Sequence, residues 1–418
     1  KWSRFKTAAF GEFRNISDAF VRLRTDAFYQ KSKKDMVNSV PGSMGSMSYV
    51  VQPMAYNTTD QYGFSLQTDW QLGELPCLIA GYELSYDDLS AQSITQMTMP
   101  MMTMVMGNKL YDGYQMTNAV YASMETQLPA DVTLTYGARY TWVKTDMDSR
   151  DVKKAGDWKN ANQSDGKLIF NAGLLWRATD NLSLRASYAQ GYRSPILQEL
   201  YVDTAMGQAG GTTYANPDLK PETSDNFEIG ARWSSAYVSA DIAAFYSEAD
   251  DYIATLWNES LGGYKYSNVA EAKTFGVELT SSVRIAETGF EPYLTATWMR
   301  RQYQNGNGFS TYDTATPAFM LRYGVRWSGM YAGLRADAFA RSQTEIEYND
   351  GIQSATDSSS YRLGGYTTLN LTAGVDFGPK RQYTFDLGLY NIFDKGYQEQ
   401  TSIYEPGRYF VAKLGARF

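Results

Sequence analysis

The stretch Val132-Thr-Leu-Thr-Tyr-Gly-Ala-Arg-Tyr-Thr-Trp142 alternates one apolar side chain with one small, polar or charged side chain. Successive side chains of a β-strand point to opposite faces, so this period of two predicts a strand with one apolar face. The same alternation recurs in 182–188, 227–233 and 410–418. The pattern predicts an all-β chain. By itself it does not separate a soluble sandwich from a transmembrane barrel, whose lipid-facing and lumen-facing residues also alternate.

The connections between the strands alternate between short and long. Short turns lie near Asn15–Asp18, Gly73–Pro76, Pro129–Asp131, Thr179–Asn181, Ser234–Ala236, Ala286–Gly289, Ser328–Met330 and Gly378–Arg381. Long polar stretches lie at roughly 34–60, 88–112, 147–165, 192–222, 248–270, 303–315, 343–362 and 394–407. Outer-membrane barrels have short periplasmic turns and longer extracellular loops, whereas a sandwich has no reason to sort its loops. We therefore predict a transmembrane antiparallel β-barrel of the bacterial outer membrane, with the long loops extracellular.

The strand count has a consequence for where the sequence begins. Counting strands with this alternation of short and long connections gives about 17. The first and the last of them both run toward the periplasm. Single-chain bacterial barrels have even strand numbers, so we expect at least one upstream strand to be missing. Lys1 begins directly in strand-like sequence without a signal peptide, as expected for a mature or truncated start.

The composition argues against several other classes of protein. Lys and Arg total 38 against 45 Asp and Glu, and the net charge of −7 disfavours a nucleic-acid binder. No apolar run reaches the roughly 18 residues of a membrane-spanning helix. Aromatic residues make up 15% of the chain, which suits the aromatic girdles of a barrel. The chain has no histidine and one cysteine, Cys77, so we predict neither histidine-dependent catalysis nor a cysteine-rich metal site, and no enzyme.

Three segments of the second half resemble one known family. The first is Tyr188-Ala-Gln-Gly-Tyr-Arg-Ser-Pro195 with Asn216-Pro-Asp-Leu-Lys-Pro-Glu-Thr-Ser224 and Phe227-Glu-Ile-Gly230; the second is Asn268-Val-Ala-Glu-Ala-Lys-Thr-Phe-Gly-Val-Glu-Leu-Thr280; the third is Tyr390-Asn-Ile-Phe-Asp-Lys-Gly-Tyr397 with Pro406-Gly-Arg408. In this order and at this spacing they resemble segments of the TonB-dependent receptors. That family transports siderophores, haem, cobalamin and other scarce nutrients across the outer membrane.

The resemblance implies a barrel of about 22 strands whose lumen is filled by a plug. It also implies energy supplied from the inner membrane by the TonB protein, which acts through the N-terminal plug. No plug segment and no energy-coupling box is visible here. We therefore interpret residues 1–418 as one domain, the C-terminal part of the barrel, with the plug and the first strands absent.

One segment is unusually rich in methionine. Gln96-Met-Thr-Met-Pro-Met-Met-Thr-Met-Val-Met106 lies in a predicted extracellular loop and contains Met97, Met99, Met101, Met102, Met104 and Met106. Thioethers are soft ligands that select Cu(I), and methionine also adapts to irregular apolar surfaces. The functional hypothesis is a copper or haem contact. The alternative is a loop that packs against its neighbours, or an apolar patch that recognises a hydrophobic complex or partner.

The predicted loops also carry many aromatic side chains and a few arginines. The candidate ligand-binding residues among them are Tyr192, Arg193, Tyr201, Trp257, Tyr264 and Tyr404. Such side chains hydrogen-bond and stack on a siderophore, and Arg193 suits an anionic chelate. Haem has weaker support, because the interval 196–215 contains no histidine, although tyrosine also ligates haem iron.

The sequence therefore predicts TonB-dependent active transport of a ferric siderophore. The predicted partners are the metal chelate, the TonB protein and outer-membrane lipid, with no nucleic acid and no resident cofactor. The alternatives are a copper or haem receptor that uses residues 97–106, a passive porin, and a surface adhesin or phage receptor.

Overall fold

The computed structural model describes residues 1–73, 77–147, 162–203, 212–304, 309–310, 316–329, 333–349, 360–399 and 403–417. These form one short helix, α1 (Leu197–Tyr201), and 22 strands. The strands are β1 (Trp2–Arg14), β2 (Phe20–Val37), β3 (Val40–Met44), β4 (Met47–Gln71), β5 (Cys77–Met99), β6 (Met102–Leu128), β7 (Val132–Met147), β8 (Asn162–Arg177), β9 (Leu182–Arg193), β10 (Thr213–Tyr214), β11 (Glu222–Ser234), β12 (Val238–Asn258), β13 (Gly263–Val283), β14 (Phe290–Gln304), β15 (Phe309–Ser310), β16 (Phe319–Ser328), β17 (Leu334–Gln343), β18 (Ile346–Asn349), β19 (Ser360–Leu363), β20 (Tyr366–Phe377), β21 (Tyr383–Tyr390) and β22 (Tyr409–Ala416). Among the described residues, no helix has the length and apolar character needed to cross a membrane.

Seventeen of the strands form one antiparallel meander. Its order is β1-β2-β4-β5-β6-β7-β8-β9-β11-β12-β13-β14-β16-β17-β20-β21-β22. The other five strands are short: β3 pairs with β4, β10 lies parallel to β13, β15 pairs with β14, and β18 pairs with β19. The predicted antiparallel architecture and strand count are confirmed for the described part of the chain.

The short turns all lie at one end of the sheet, which we call the turn end; the opposite end is the loop end. Each predicted short turn joins two consecutive long strands, although residues 74–76 and 330 lie outside the described ones. Gly289 illustrates why turn residues are a clear signal. Its φ is +77°, and an added Cβ would lie 2.2 Å from the carbonyl oxygen of Ser328, so only glycine fits there.

Several predicted loops at the loop end are instead extended hairpins, so this part of the prediction was wrong. β4, β5 and β6 have 25, 23 and 27 residues. Residues 97–106 are the tip of the β5–β6 hairpin, in which only Pro100 and Met101 form the turn. The polar composition of these stretches predicts long loops. A ladder of backbone hydrogen bonds satisfies the main chain even where water reaches both faces, so polar residues are acceptable in such strands.

The two faces of the sheet differ in chemistry. On one face Leu89 and Met147 join a buried cluster with the helix α1, and we call this the inner face. It also carries ion pairs, for example between Arg139 and Glu83, whose guanidinium nitrogen and carboxylate oxygen are 2.6 Å apart. The opposite face exposes large apolar side chains, for example Ile229 and Trp233. An apolar exterior around a charged interior is the arrangement of a membrane barrel and the reverse of a soluble protein.

Candidate functional site

The segment that joins β9 to β11 folds onto the inner face at the loop end. Its helix α1 buries Leu197, Leu200 and Tyr201 in a cluster with Ile253 of β12 and with the β5–β7 side chains described above. Glu199 closes the first turn of the helix, because its carboxylate accepts a 3.0 Å hydrogen bond from the backbone N–H of Ile196. The segment therefore covers part of the inner face and leaves a cavity beside it.

We call this cavity of about 260 Å³ the mouth cavity. Its polar lining includes Tyr192, Arg193, Glu222, Ser224, Tyr252 and Arg301. Arg193 donates a 3.0 Å hydrogen bond to Glu222 and another to Glu199. Two carboxylates thus compensate its charge, and the contacts tie α1 to β9 and β11. In this structure Arg193 holds the wall of the cavity together.

Arg301 differs from Arg193 in its surroundings. It donates a 2.8 Å hydrogen bond to the Tyr252 hydroxyl, and its guanidinium lies 5.5 Å and 5.3 Å from the ring centroids of Tyr252 and Tyr303. The two rings stack on each other, with centroids 5.3 Å apart. Within the described part of the chain, no Asp or Glu carboxylate lies within 4.0 Å of Arg301. Its positive charge is therefore available to an anion that enters the cavity.

Sequence reasoning missed Arg301. It lies more than a hundred residues from Arg193, and only the strand register places it on the same wall. The successive pairs are Asn226–Ser247, Ser247–Thr274 and Thr274–Arg301. A signal was present in the alternation of β14, because Arg301 and Tyr303 are separated by one residue and so share a face.

The predicted aromatic residues are dispersed. The Tyr192 hydroxyl donates a 2.9 Å hydrogen bond to Asp165 at the edge of the mouth cavity. Tyr201 is 0% exposed and Tyr264 is also buried, so neither presents a surface to a ligand here. Tyr404 is 77% exposed, ahead of β22. The backbone of Trp257 pairs with Tyr264, but its side chain lies outside the described part of the structure.

The methionines of the β5–β6 hairpin are aligned by its register. Met97 pairs with Met104 and Met99 pairs with Met102. Residues that pair directly, and residues two apart on one strand, point to the same face, so all four side chains share one face of the ribbon. Thr98 and Thr103 occupy the other face, where their hydroxyls are 3.3 Å apart. Met101 lies in the turn, and Met106 lies at the register shift of β6.

A third methionine pair extends this surface. Met44 pairs with Met47 at the tip of the β3–β4 hairpin, and Val51, four residues beyond Met47, pairs with Met97. The same parity rule places both pairs on one side of the combined ribbon. We call the set Met44, Met47, Met97, Met99, Met102 and Met104 the methionine face. It continues the inner face, because Met97 lies eight positions after Leu89 on β5, and an even spacing along a strand returns to the same face.

The thioethers of the methionine face are accessible. Met44 and Met47 are 75% and 52% exposed, and Met102 and Met104 are 51% and 45% exposed. Met97 and Met99 are half-buried. In the described residues, no group of three His, Cys, Asp or Glu side chains is arranged to hold a metal ion. Thioethers are thus the donors that this part of the molecule offers to a soft metal.

Comparisons with known proteins agree on one family for this chain. Residues 4–392 match the family model described as TonB dependent receptor-like, beta-barrel. The Vitamin B12 transporter BtuB of Vibrio vulnificus is 27% identical over 248 residues, 58% of this chain and 35% of that protein. The Rhizobactin receptor of Rhizobium meliloti is 23% identical over 302 residues, 67% of this chain and 38% of that protein. The chain thus spans little more than a third of the length of these relatives.

Solved structures share the fold at low identity. The copper transporter OprC superposes with a TM-score of 0.80 at 16% identity, covering 99% of this chain and 65% of that one. The ferric yersiniabactin uptake receptor FyuA from Yersinia pestis superposes with a TM-score of 0.67 at 16% identity, covering 99% and 60%. At this identity the superpositions establish the barrel architecture.

Proposed function

Because this chain belongs to the TonB-dependent receptor-like β-barrel family, we propose that it forms the barrel of an outer-membrane transporter for a scarce metal complex. The observation that carries the proposal is the family match over residues 4–392. The apolar outer face and the charged inner face of the sheet support it. Residues 1–418 act as one barrel domain in this proposal. The loop end faces the medium and the turn end faces the periplasm.

The ligand that the mouth cavity favours is an anionic ferric siderophore. The cavity offers the guanidinium of Arg301, which lies beside two stacked tyrosines and has no carboxylate neighbour among the described residues. Anionic oxygens of a chelate accept charge-assisted hydrogen bonds from arginine, and tyrosine rings contact its planar groups. Relatives named as receptors for rhizobactin and ferric aerobactin are consistent with this class of ligand. Transport requires no bond of the ligand to be broken, so no catalytic residue is assigned.

The remaining parts of the proposal concern partners. Uptake of a scarce ligand against its gradient needs energy, which the TonB protein supplies in this family through a plug. Outer-membrane lipid surrounds the apolar face, and no resident cofactor or nucleic acid takes part. Copper is the second candidate cargo, because the methionine face presents soft donors. Haem has less support, since Tyr201 and Tyr264, two of the tyrosines proposed as ligands, are buried.

The test is uptake by cells that express the full-length protein. Iron-55 loaded on a panel of anionic siderophores is supplied to cells with and without TonB, and we expect accumulation of one chelate only with TonB. Arg301→Ala should raise the chelate concentration at half-maximal uptake by about tenfold, equivalent to about 1.4 kcal/mol of binding free energy. Arg300→Ala is the matched control, because Arg300 immediately precedes Arg301 on β14 and so points to the opposite face. Uptake that is independent of TonB would support a passive porin instead.

A further inference from the structure

The distribution of methionine in this chain is uneven in space as well as in sequence. Of its 17 methionines, two lie at the tip of the β3–β4 hairpin and six lie between Met97 and Met106. Methionine is usually a buried residue that fills gaps in a core. At these two tips most of the side chains are exposed, so packing within the described chain does not account for them.

The geometry of the methionine face suits the coordination of a single ion. Directly paired residues on an antiparallel ribbon have Cβ atoms about 5 Å apart, and the next pair on the same face lies about 7 Å along the strands. Each methionine has three rotatable bonds beyond Cα and so reaches inward from its position. The sulfurs of the pairs Met97–Met104 and Met99–Met102 can therefore converge on one point without movement of the backbone.

The chemistry of these donors selects the ion. Thioethers are soft ligands, which favour Cu(I) over Mg²⁺, Ca²⁺ or Mn²⁺. Cu(II) prefers nitrogen and oxygen donors in a tetragonal arrangement, and this chain contains no histidine. The side chains on the opposite face of the tip, Thr98 and Thr103, are hydroxyls that bond each other. A reduced copper ion is the metal that this donor set fits.

We propose that Met97, Met99, Met102 and Met104 form a Cu(I) site at the tip of the β5–β6 hairpin. Met44 and Met47, on the adjoining hairpin, supply additional thioethers on the same face. The site captures Cu(I) at the loop end of the sheet, on the side that continues the inner face. This inference deepens the second candidate cargo above and rests on it for its role in uptake. Cu(I) binding is measured in the purified protein without transport. A failure of the proposed Cu(I) site is therefore distinguishable from a failure of the proposed uptake function.

The test uses the full-length protein in detergent. Cys77 is a free thiol at the far end of β5, and a thiolate binds Cu(I) on its own, so all proteins carry Cys77→Ser. Cu(I) is titrated anaerobically in competition with bicinchoninate, and the methyl carbon resonances of labelled methionine are followed in parallel. We expect one high-affinity ion per chain and shifts confined to methyl groups of the methionine face.

The variants distinguish loss of the Cu(I) site from the effect of replacing methionines elsewhere in the protein. Replacing Met97, Met99, Met102 and Met104 with leucine should weaken Cu(I) binding at least about 100-fold, or about 2.7 kcal/mol. Met44→Leu with Met47→Leu should weaken it less, by about threefold to tenfold. The control replaces Met116, Met124, Met299 and Met320, which lie elsewhere in the sheet, and should leave binding unchanged. An unchanged affinity in the first variant, with its β-sheet circular dichroism intact, overturns the proposal, as does an absence of tight binding in the parent protein.

Discussion

Arg185 of β9 binds both carboxylate oxygens of Asp241 on β12, at 3.1 Å and 2.9 Å. Its Nε also donates a 2.8 Å hydrogen bond to Glu228 of β11, the strand that lies between them. One guanidinium therefore connects three adjacent strands on the inner face. Bidentate, charge-assisted bonds are the stronger class of hydrogen bond, and this one also neutralises two carboxylates that would otherwise repel each other.

Replacing this guanidinium should destabilise the barrel. We expect Arg185→Met to lower the free energy of unfolding by about 1–2 kcal/mol, measured by urea denaturation in detergent or lipid vesicles. Adding Glu228→Gln should restore part of the loss, because Glu228 loses its arginine in this variant, whereas Asp241 keeps its bond to Arg232. Arg232→Met is the control: Arg232 bonds Asp241 once and is mostly exposed, so its loss should cost less. Equal losses for the two arginines would contradict this account.

The turn at Gly289 gives a second prediction. Alanine there would combine a left-handed φ with a Cβ placed against the Ser328 carbonyl, so the turn has to shift. We expect Gly289→Ala to lower the free energy of unfolding by about 2 kcal/mol or more. Gly262 has a similar φ of +61° but no atom within 4 Å of an added Cβ, so Gly262→Ala should cost only about 1 kcal/mol. The comparison separates steric clash from backbone conformation.

The segment over the inner face should depend on Glu199. Its carboxylate bonds both the Ile196 N–H and Arg193, and Glu199→Gln weakens both contacts. We expect faster backbone hydrogen exchange in residues 194–203, measured by mass spectrometry, with little change in β5–β7. Gln198→Ala serves as the control, because Gln198 contributes its backbone carbonyl to the helix rather than its side chain. Unchanged exchange in the Glu199 variant would show that apolar packing alone holds the segment.

Copper binding should be insensitive to pH. Histidine, cysteine and carboxylate ligands must lose a proton before they bind a metal, so their metal affinity rises with pH. Thioethers carry no proton, and the chain has no histidine. In the Cys77→Ser protein we therefore expect the Cu(I) dissociation constant to change less than about threefold between about pH 5 and pH 8. A tenfold or steeper dependence would indicate that carboxylates or other titrating ligands hold the ion.

Some of this architecture could be predicted from sequence because its signals are local. The alternation in Val132–Trp142 and the turn residues at Pro129–Asp131 each act within a few positions, and they gave the correct strands and parity. The part of β5 after residue 88 and the part of β6 before residue 112 were predicted as loop. Strands that are exposed to water on both faces lose the apolar alternation that marks a strand in the sequence.

The functional surfaces were harder to predict, because they depend on register between distant strands. Met97 and Met104 were recognised as part of one methionine-rich segment, but Met44 and Met47 were not associated with them. Only the pairing of β4 with β5 brings those tips side by side. Arg301 joins the mouth cavity in the same way, through the ladder of β13 with β14. Sequence spacing alone does not contain that information.

The length of the β5–β6 hairpin has a consequence for encounter rates. At about 3.3 Å per residue, the 27 residues of β6 extend roughly 90 Å, whereas a strand crosses the hydrocarbon core in about 9–11 residues. Much of the ribbon therefore stands clear of the bilayer. A tip held away from the bilayer is open to dissolved solutes from more directions than a group at the membrane surface. In the proposed orientation, a dilute solute therefore meets the tip of this hairpin before it meets the opening of the barrel.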